Sequence, residues 1–93
     1  MQTYPDVDIQ ELVQEAEVQT DAHDLIVYND DVNTFDFVIE VLVAICKHTP
    51  EQAEQCTLMI HHKGKCTVKH GSFDELAAMR NAICERGISA EVE

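Results

Sequence analysis

The stretch Thr49-Pro50-Glu51-Gln52, closed by Gly64, does most to restrict what this chain can become. Thr49 can accept a hydrogen bond from an unpaired amide of the first turn, and Gln52 can return one to the Thr49 backbone. Pro50 sits where a missing N–H costs nothing. Gly64 then supplies a left-handed stop. Both ends of a helix are thus written locally, and the flanking residues must be organised around it. Ala53, Cys56, Thr57 and Ile60 fall on one face of this helix, which runs into His61 and His62.

The segments on either side follow from the same kind of signal. HDLIVYN, residues 23–29, is short and β-branched and ends in turn residues, so it predicts a strand. From Phe35 to Lys47 the apolar residues Val38, Val41, Leu42 and Ile45 recur at helical spacing, with Asn33 or Thr34 as the cap and Asp36 in the positive first turn. KCTVKH, residues 65–70, alternates as a strand. Ser72 and Glu75 form a further capping box, and Leu76, Met79, Ile83 and Cys84 give the next helix its buried stripe. Gly87 is its C-terminal cap, and ISAEVE closes with alternating Ile88, Ala90 and Val92. The order β-α-α-β-α-β predicts an α+β domain, a three-stranded antiparallel sheet with helices packed on one face.

Ninety-three residues suffice for one core, not two. Residues 1–22 are expected to be a flexible acidic extension, and residues 23–93 the folded domain. Within the extension, Ile9, Leu12, Val13 and Ala16 follow Asp8 at helical spacing, with Glu11 at the capping-box position. A helix that short is marginal alone, so it should be mobile or order only against a partner.

Eighteen acids against six bases give a net charge of −12, and no Lys or Arg precedes Lys47. That sign disfavours nucleic acid and anionic membrane surfaces as partners, and leaves cationic ligands or basic protein surfaces open. No apolar run approaches the length of a membrane span, and the first residues lack a signal peptide's basic start and apolar core. A soluble, cytoplasmic, monomeric protein is expected. Cys46, Cys56, Cys66 and Cys84 form no CxxC pair and are expected to be free thiols.

Three constellations carry chemistry. Asn29, Asp30 and Asp31 stand between the first strand and first helix, where they could cap the helix or grip a cation. His61 and His62 end the second helix, a position the helix dipole favours on its own account. Together with the cysteines they could form a small metal-binding or redox site, although no ligand spacing is closed by a second matching pair. No glycine-rich phosphate loop exists, and no thiol is marked as an activated nucleophile, so enzymatic activity, a resident metal and a cofactor are not expected. Finally Val27, Phe35, Val38, Thr57 and Ile60 read as core, except that Phe35 lies in the first helical turn beside a polar cluster.

NDDVNTFDFV at residues 29–38 and IHHKG at residues 60–64 together resemble the ClpS family, adaptors of bacterial Clp ATP-dependent proteases. The family pattern is NDD, a variable residue, TPM, an acid or polar residue and FV, paired with H-x-x-G at the end of the second helix. The resemblance covers about residues 23–92, and the element order is also the family's. It implies recognition of N-degrons, proteins whose first residue is Leu, Phe, Tyr or Trp. It assigns the α-amino group to Asn29, Asp30 and His61, an acceptor set suited to an ammonium's three donors. His61 must then be neutral or well oriented, so binding should weaken on acidification.

The same resemblance maps a side-chain pocket onto Val27, Asp31, Asn33, Phe35, Val38, Thr57 and Ile60. Burying a Phe or Leu there would contribute about 1.5–3 kcal/mol. It also implies docking on the N-terminal domain of a Clp unfoldase of the ClpA or ClpC class, through Glu75 and Arg80, with the extension helping to hand over substrate. This chain departs from the pattern at Asn33, Thr34 and Phe35, where Thr, Pro and a gating Met are usual, and at Thr57, another common Met. Phe35 is expected to narrow the entrance and Thr57 to shorten one wall, shifting the preference among Leu and the aromatics.

Overall fold

The computed structural model describes residues 22–93; residues 1–21 of the expected extension, with its short helix, lie outside the described residues, whereas Ala22, assigned to the extension, pairs with Ser72 as the first residue of the first strand. Six elements follow in the order β1 (Ala22–Tyr28), α1 (Phe35–Cys46), α2 (Pro50–Lys63), β2 (Lys65–Ser72), α3 (Phe73–Glu85) and β3 (Ala90–Val92). The strands form one antiparallel sheet in the order β2-β1-β3. This is the predicted α+β arrangement.

Local chemistry explains the helix ends. Thr34, not Asn33, caps α1, its hydroxyl accepting from the Phe37 amide at 3.1 Å. At α2 both halves of the Thr49–Gln52 box form, at 3.1 and 3.0 Å, and Gly64 stops the helix at φ 89°. Ser72 accepts from the Glu75 amide at the start of α3. The reciprocal half of that expected box is not formed; the Glu75 carboxylate instead folds back over Gly71, where an added Cβ would meet it at 2.7 Å. The C-cap of α3 is Arg86, one residue before the predicted Gly87, which takes the left-handed conformation that follows it.

The core lies between one sheet face and the helices. Leu25 and Val27, two apart on β1, point the same way into a cluster with Val41 and Leu42 of α1, Ile60 of α2, and Leu76 and Ile83 of α3. β2 carries a bulge opposite Leu25 and Ile26, where Val68 is the extra residue. The simple alternation expected for KCTVKH therefore fails at this point. The bulge admits Val68 to the core while Lys69 reaches the Cys46 carbonyl at 3.1 Å, placing a cation at the α1 C-terminus. The last strand is only three residues, because Ile88 turns into the core before pairing starts at Ala90 opposite Val27. All four cysteines are free. No helix among the described residues is long and apolar enough to cross a membrane.

Candidate functional site

The chain leaving β1 is held against the end of α2 by one backbone bond, from the Asn29 amide to the Gly64 carbonyl at 2.9 Å. This bond brings the Asn29–Asn33 loop beside the last turn of α2, which carries His61. From the other side, the Phe35 ring at the start of α1 meets the His61 imidazole edge to face, with centroids 5.1 Å apart. Two motifs separated by some thirty positions in sequence thus share one seam. Asn29 and His61 are exposed, and neither side chain hydrogen-bonds another described residue.

Asp30 organises the loop. One carboxylate oxygen accepts from the Val32 and Asn33 amides, both at 2.9 Å, and the other accepts from the Asn33 side chain at 2.8 Å. The Asn33 amide bond, and less strongly the Val32 amide and Asn33 carboxamide, hold its pKa below the usual carboxylate value against an opposing effect of desolvation. Asp30 is therefore a fixed negative charge with three of about four lone-pair positions used, which leaves capacity for another donor. Asn33 also donates to the Gly87 carbonyl at 2.9 Å, tying the loop to the α3–β3 connection. This bridge is invisible in sequence, although an Asx residue followed by small polar residues signals the turn itself.

Beneath the seam, Val27, Val38, Thr57 and Ile60 are at most 6% exposed. The Thr57 hydroxyl donates to the Ala53 carbonyl at 2.7 Å, so this buried polar group is satisfied within its own helix. Of the residues the resemblance placed in a pocket, Asn33 spends its amide on Asp30 and Gly87, Asp31 is exposed, and Phe35 is half-buried at the top. Glu75 and Arg80 lie away from this site on α3. Arg80 donates to the Ala90 carbonyl at 3.1 Å and lines a hollow of about 380 Å³ with Phe73, Ala77, Asn81, Glu91 and Val92.

Among the described residues no group of three His, Cys, Asp or Glu side chains is arranged to hold a metal ion. Cys56 and Cys66 face each other, but burial pushes the Cys56 thiol up to about 12, helped by its Cys66 neighbour. A thiol so protonated is a poor ligand and a poor nucleophile at neutral pH. The metal or redox reading thus has no geometric support here.

The loop of Asn29 and Asp30 and the end of α2 that carries His61 thus lie side by side in a small α+β module. The family described as ATP-dependent Clp protease adaptor protein ClpS has a model that matches residues 18–90, and the chain belongs to this family of Clp protease adaptors. It is 40% identical over 57 residues to the ClpS adapter of Shewanella pealeana, covering 61% of this chain and 56% of that protein. To the ClpS adapter of Acetivibrio thermocellus it is 36% identical over 69 residues, covering 74% and 68% of the two chains. The chain thus matches little more than half the length of the Shewanella relative. In fold it is similar to Agrobacterium tumefaciens ClpS2 bound to L-phenylalaninamide, with a TM-score of 0.68 and 21% identity over 78% of this chain and 98% of that one.

Proposed function

We propose that this adaptor recognises proteins with a free N-terminal Leu, Phe, Tyr or Trp and delivers them to a Clp AAA+ protease. The observation that carries the reading is the seam itself: the loop of Asn29 and Asp30 is bonded to the end of α2, whose last turn carries His61, and Val27, Val38, Thr57 and Ile60 of the adjoining elements are buried. An α-ammonium carries three donors and a full charge, and an N-terminal residue presents it next to its own side chain. Acceptors at the rim and apolar groups below match that pair of features. The ligand of the similar ClpS2 structure, L-phenylalaninamide, has this chemistry.

Phe35 acts as the gate. The apolar floor is almost closed to solvent, so an entering side chain must displace the Phe35 ring from His61, at a cost of about 0.5–1.5 kcal/mol. The gate disfavours weak side chains and rewards those large enough to replace the lost contact. Residues 22–93 act as the adaptor domain and the residues before them as the extension used in handover. Glu75, in the first turn of α3, and Arg80, which lines the α3 hollow with the exposed Phe73, dock the N-terminal domain of a ClpA- or ClpC-class unfoldase. The adaptor works as a cytoplasmic monomer and performs no chemistry of its own.

Fluorescence anisotropy tests the central claim. A peptide beginning with a free Phe should bind, while its N-acetylated twin should not. Equal binding of both, or of neither, would remove the adaptor's amine grip.

A further inference from the structure

A trench runs along the opposite side of α2 from Thr57 and Ile60. Successive helical positions place Gln55, Leu58, Met59 and His62 on that outer face. Leu58 and Met59 are 37% and 49% exposed and adjacent, so they give that face an apolar centre. The trench has two stretches that share Gln55 and Cys56. One, of about 420 Å³, is predominantly apolar and ends at His62, Lys63 and Cys66. The other, of about 480 Å³, continues past Thr67 and Val68 to His48 and His70. β2 forms its wall and is an edge strand of the sheet.

Polarity and reach indicate what covers it. Lys63 and Glu51 are the charged residues lining the two stretches, beside the imidazoles of His48, His62 and His70. The chain before Ala22 contains Asp6, Asp8, Glu11, Glu15, Glu17 and Asp21 and no base, together with the apolar stripe Ile9, Leu12, Val13 and Ala16. That chain joins β1 at Ala22, opposite Ser72, two pairs from His70 at one end of the trench; His70 itself bonds Asp24 at 2.6 Å. Ten residues of helix measure about 15 Å. The run of β2 from His70 to Cys66 is about 14 Å, and four extended residues between helix and strand span about 13 Å. Length, polarity and apolar spacing all match.

We propose that residues 8–17 of the same chain dock in this trench as a short amphipathic helix, the apolar stripe on Leu58 and Met59 and the acids toward Lys63 and His62. This contact stores the extension against the core on the face of α2 that the amine-binding seam leaves unused. It is independent of whether the seam binds N-termini.

Two readouts in the full-length chain test it. Met59 has a methyl group resolvable by NMR from those of Met1 and Met79, and Cys66 is a thiol in the trench. In Leu12→Asp and in Ile9→Asp the Met59 methyl signal should move while that of Met79 stays, and alkylation of Cys66 should quicken at least about threefold. Leu58→Lys, made from the trench side, should likewise shift the amide signals of residues 8–17. Circular dichroism melts confirm that each variant is folded. Unchanged Met59 signals and Cys66 rates in all folded variants overturn the proposal. Protection of Cys66 that grows with protein concentration also overturns it, because the occupant is then a second copy.

Discussion

Helices α1 and α2 begin in nearly identical ways and are preceded by different amounts of chain. Thr34 and Thr49 both cap from extended backbone, with φ, ψ of −74°, 160° and −68°, 159°. For α2, the Thr49–Gln52 box with Pro50 completes the start, and only Lys47 and His48 separate it from the preceding helix. For α1, five further residues, Asn29 to Asn33, form a loop with its own internal hydrogen bonds and an anchor on Gly64. One Thr is enough to begin a helix. The surplus before α1 is therefore not needed to begin the helix, and it is stabilised independently of the cap.

Substitutions at the two starts should separate these roles. Asp30→Ala should do the most, because it removes the charge at the seam and leaves the Val32 and Asn33 amides without their acceptor. Binding of a Phe-initiated peptide should fall well over tenfold, with a stability loss of about 0.5–1.5 kcal/mol, because water reaches the freed amides. Asn29→Ala should weaken binding about tenfold or more, since a hydrogen bond to a charged group contributes about 1.5–3 kcal/mol. Its exposed side chain should leave stability within about 0.5 kcal/mol. Thr49→Ala should do the reverse, lowering stability by about 1 kcal/mol and leaving affinity unchanged. Urea melts and peptide titrations on the same preparations check all three. If Asn29→Ala destabilises as much as Thr49→Ala and binds normally, the loop is merely a longer cap.

The contrast also marks what the sequence could reveal. Element order, the Thr49 box and the Gly64 stop depend on neighbours within four residues, and all were legible. Asn29, Asp30 and His61 could be singled out as residue types, but their proximity depends on the Asn29–Gly64 bond and the Phe35–His61 contact. The Val68 bulge and the Asn33–Gly87 bridge arise from pairing across distant segments, for which a local pattern has no signal. Asp30 was legible as cap or grip. The geometry makes it the acceptor of its own loop first, with spare capacity for a ligand.

A smaller effect concerns selectivity at the rim. Phe35→Met replaces a ring held edge to face on His61 with a flexible thioether. The rank of Leu-, Phe-, Tyr- and Trp-initiated peptides should change by a few-fold while the penalty for N-acetylation stays the same. Thr57→Met is a poorer probe than the sequence suggests. Thr57 has no exposed surface, and an added side chain there would overpack by about 1–3 kcal/mol before specificity could be compared. An unaltered rank order in Phe35→Met would move the gate elsewhere.

The smallest expected effect is on pH dependence, and it isolates the loop from the cap. The Asp30 carboxyl is held below its ordinary value chiefly by the Asn33 amide, with the Val32 amide and the Asn33 side chain adding to it. A depressed native pKa means that the unfolded chain takes up the proton first as pH falls. The stabilisation from ionised Asp30 is thus complete above the ordinary carboxylate range, near pH 4, and disappears as pH drops through the lowered native value. Asp30 is partly exposed, so solvent screening keeps the contribution small. Thermal melts of wild type and Asp30→Asn should therefore differ at pH 6 and converge toward pH 2. Thr49→Ala should stay offset by the same amount across that range, because its hydroxyl does not titrate. A constant gap for Asp30→Asn down to pH 2 would show that geometry alone, and not the charge, holds the loop in place.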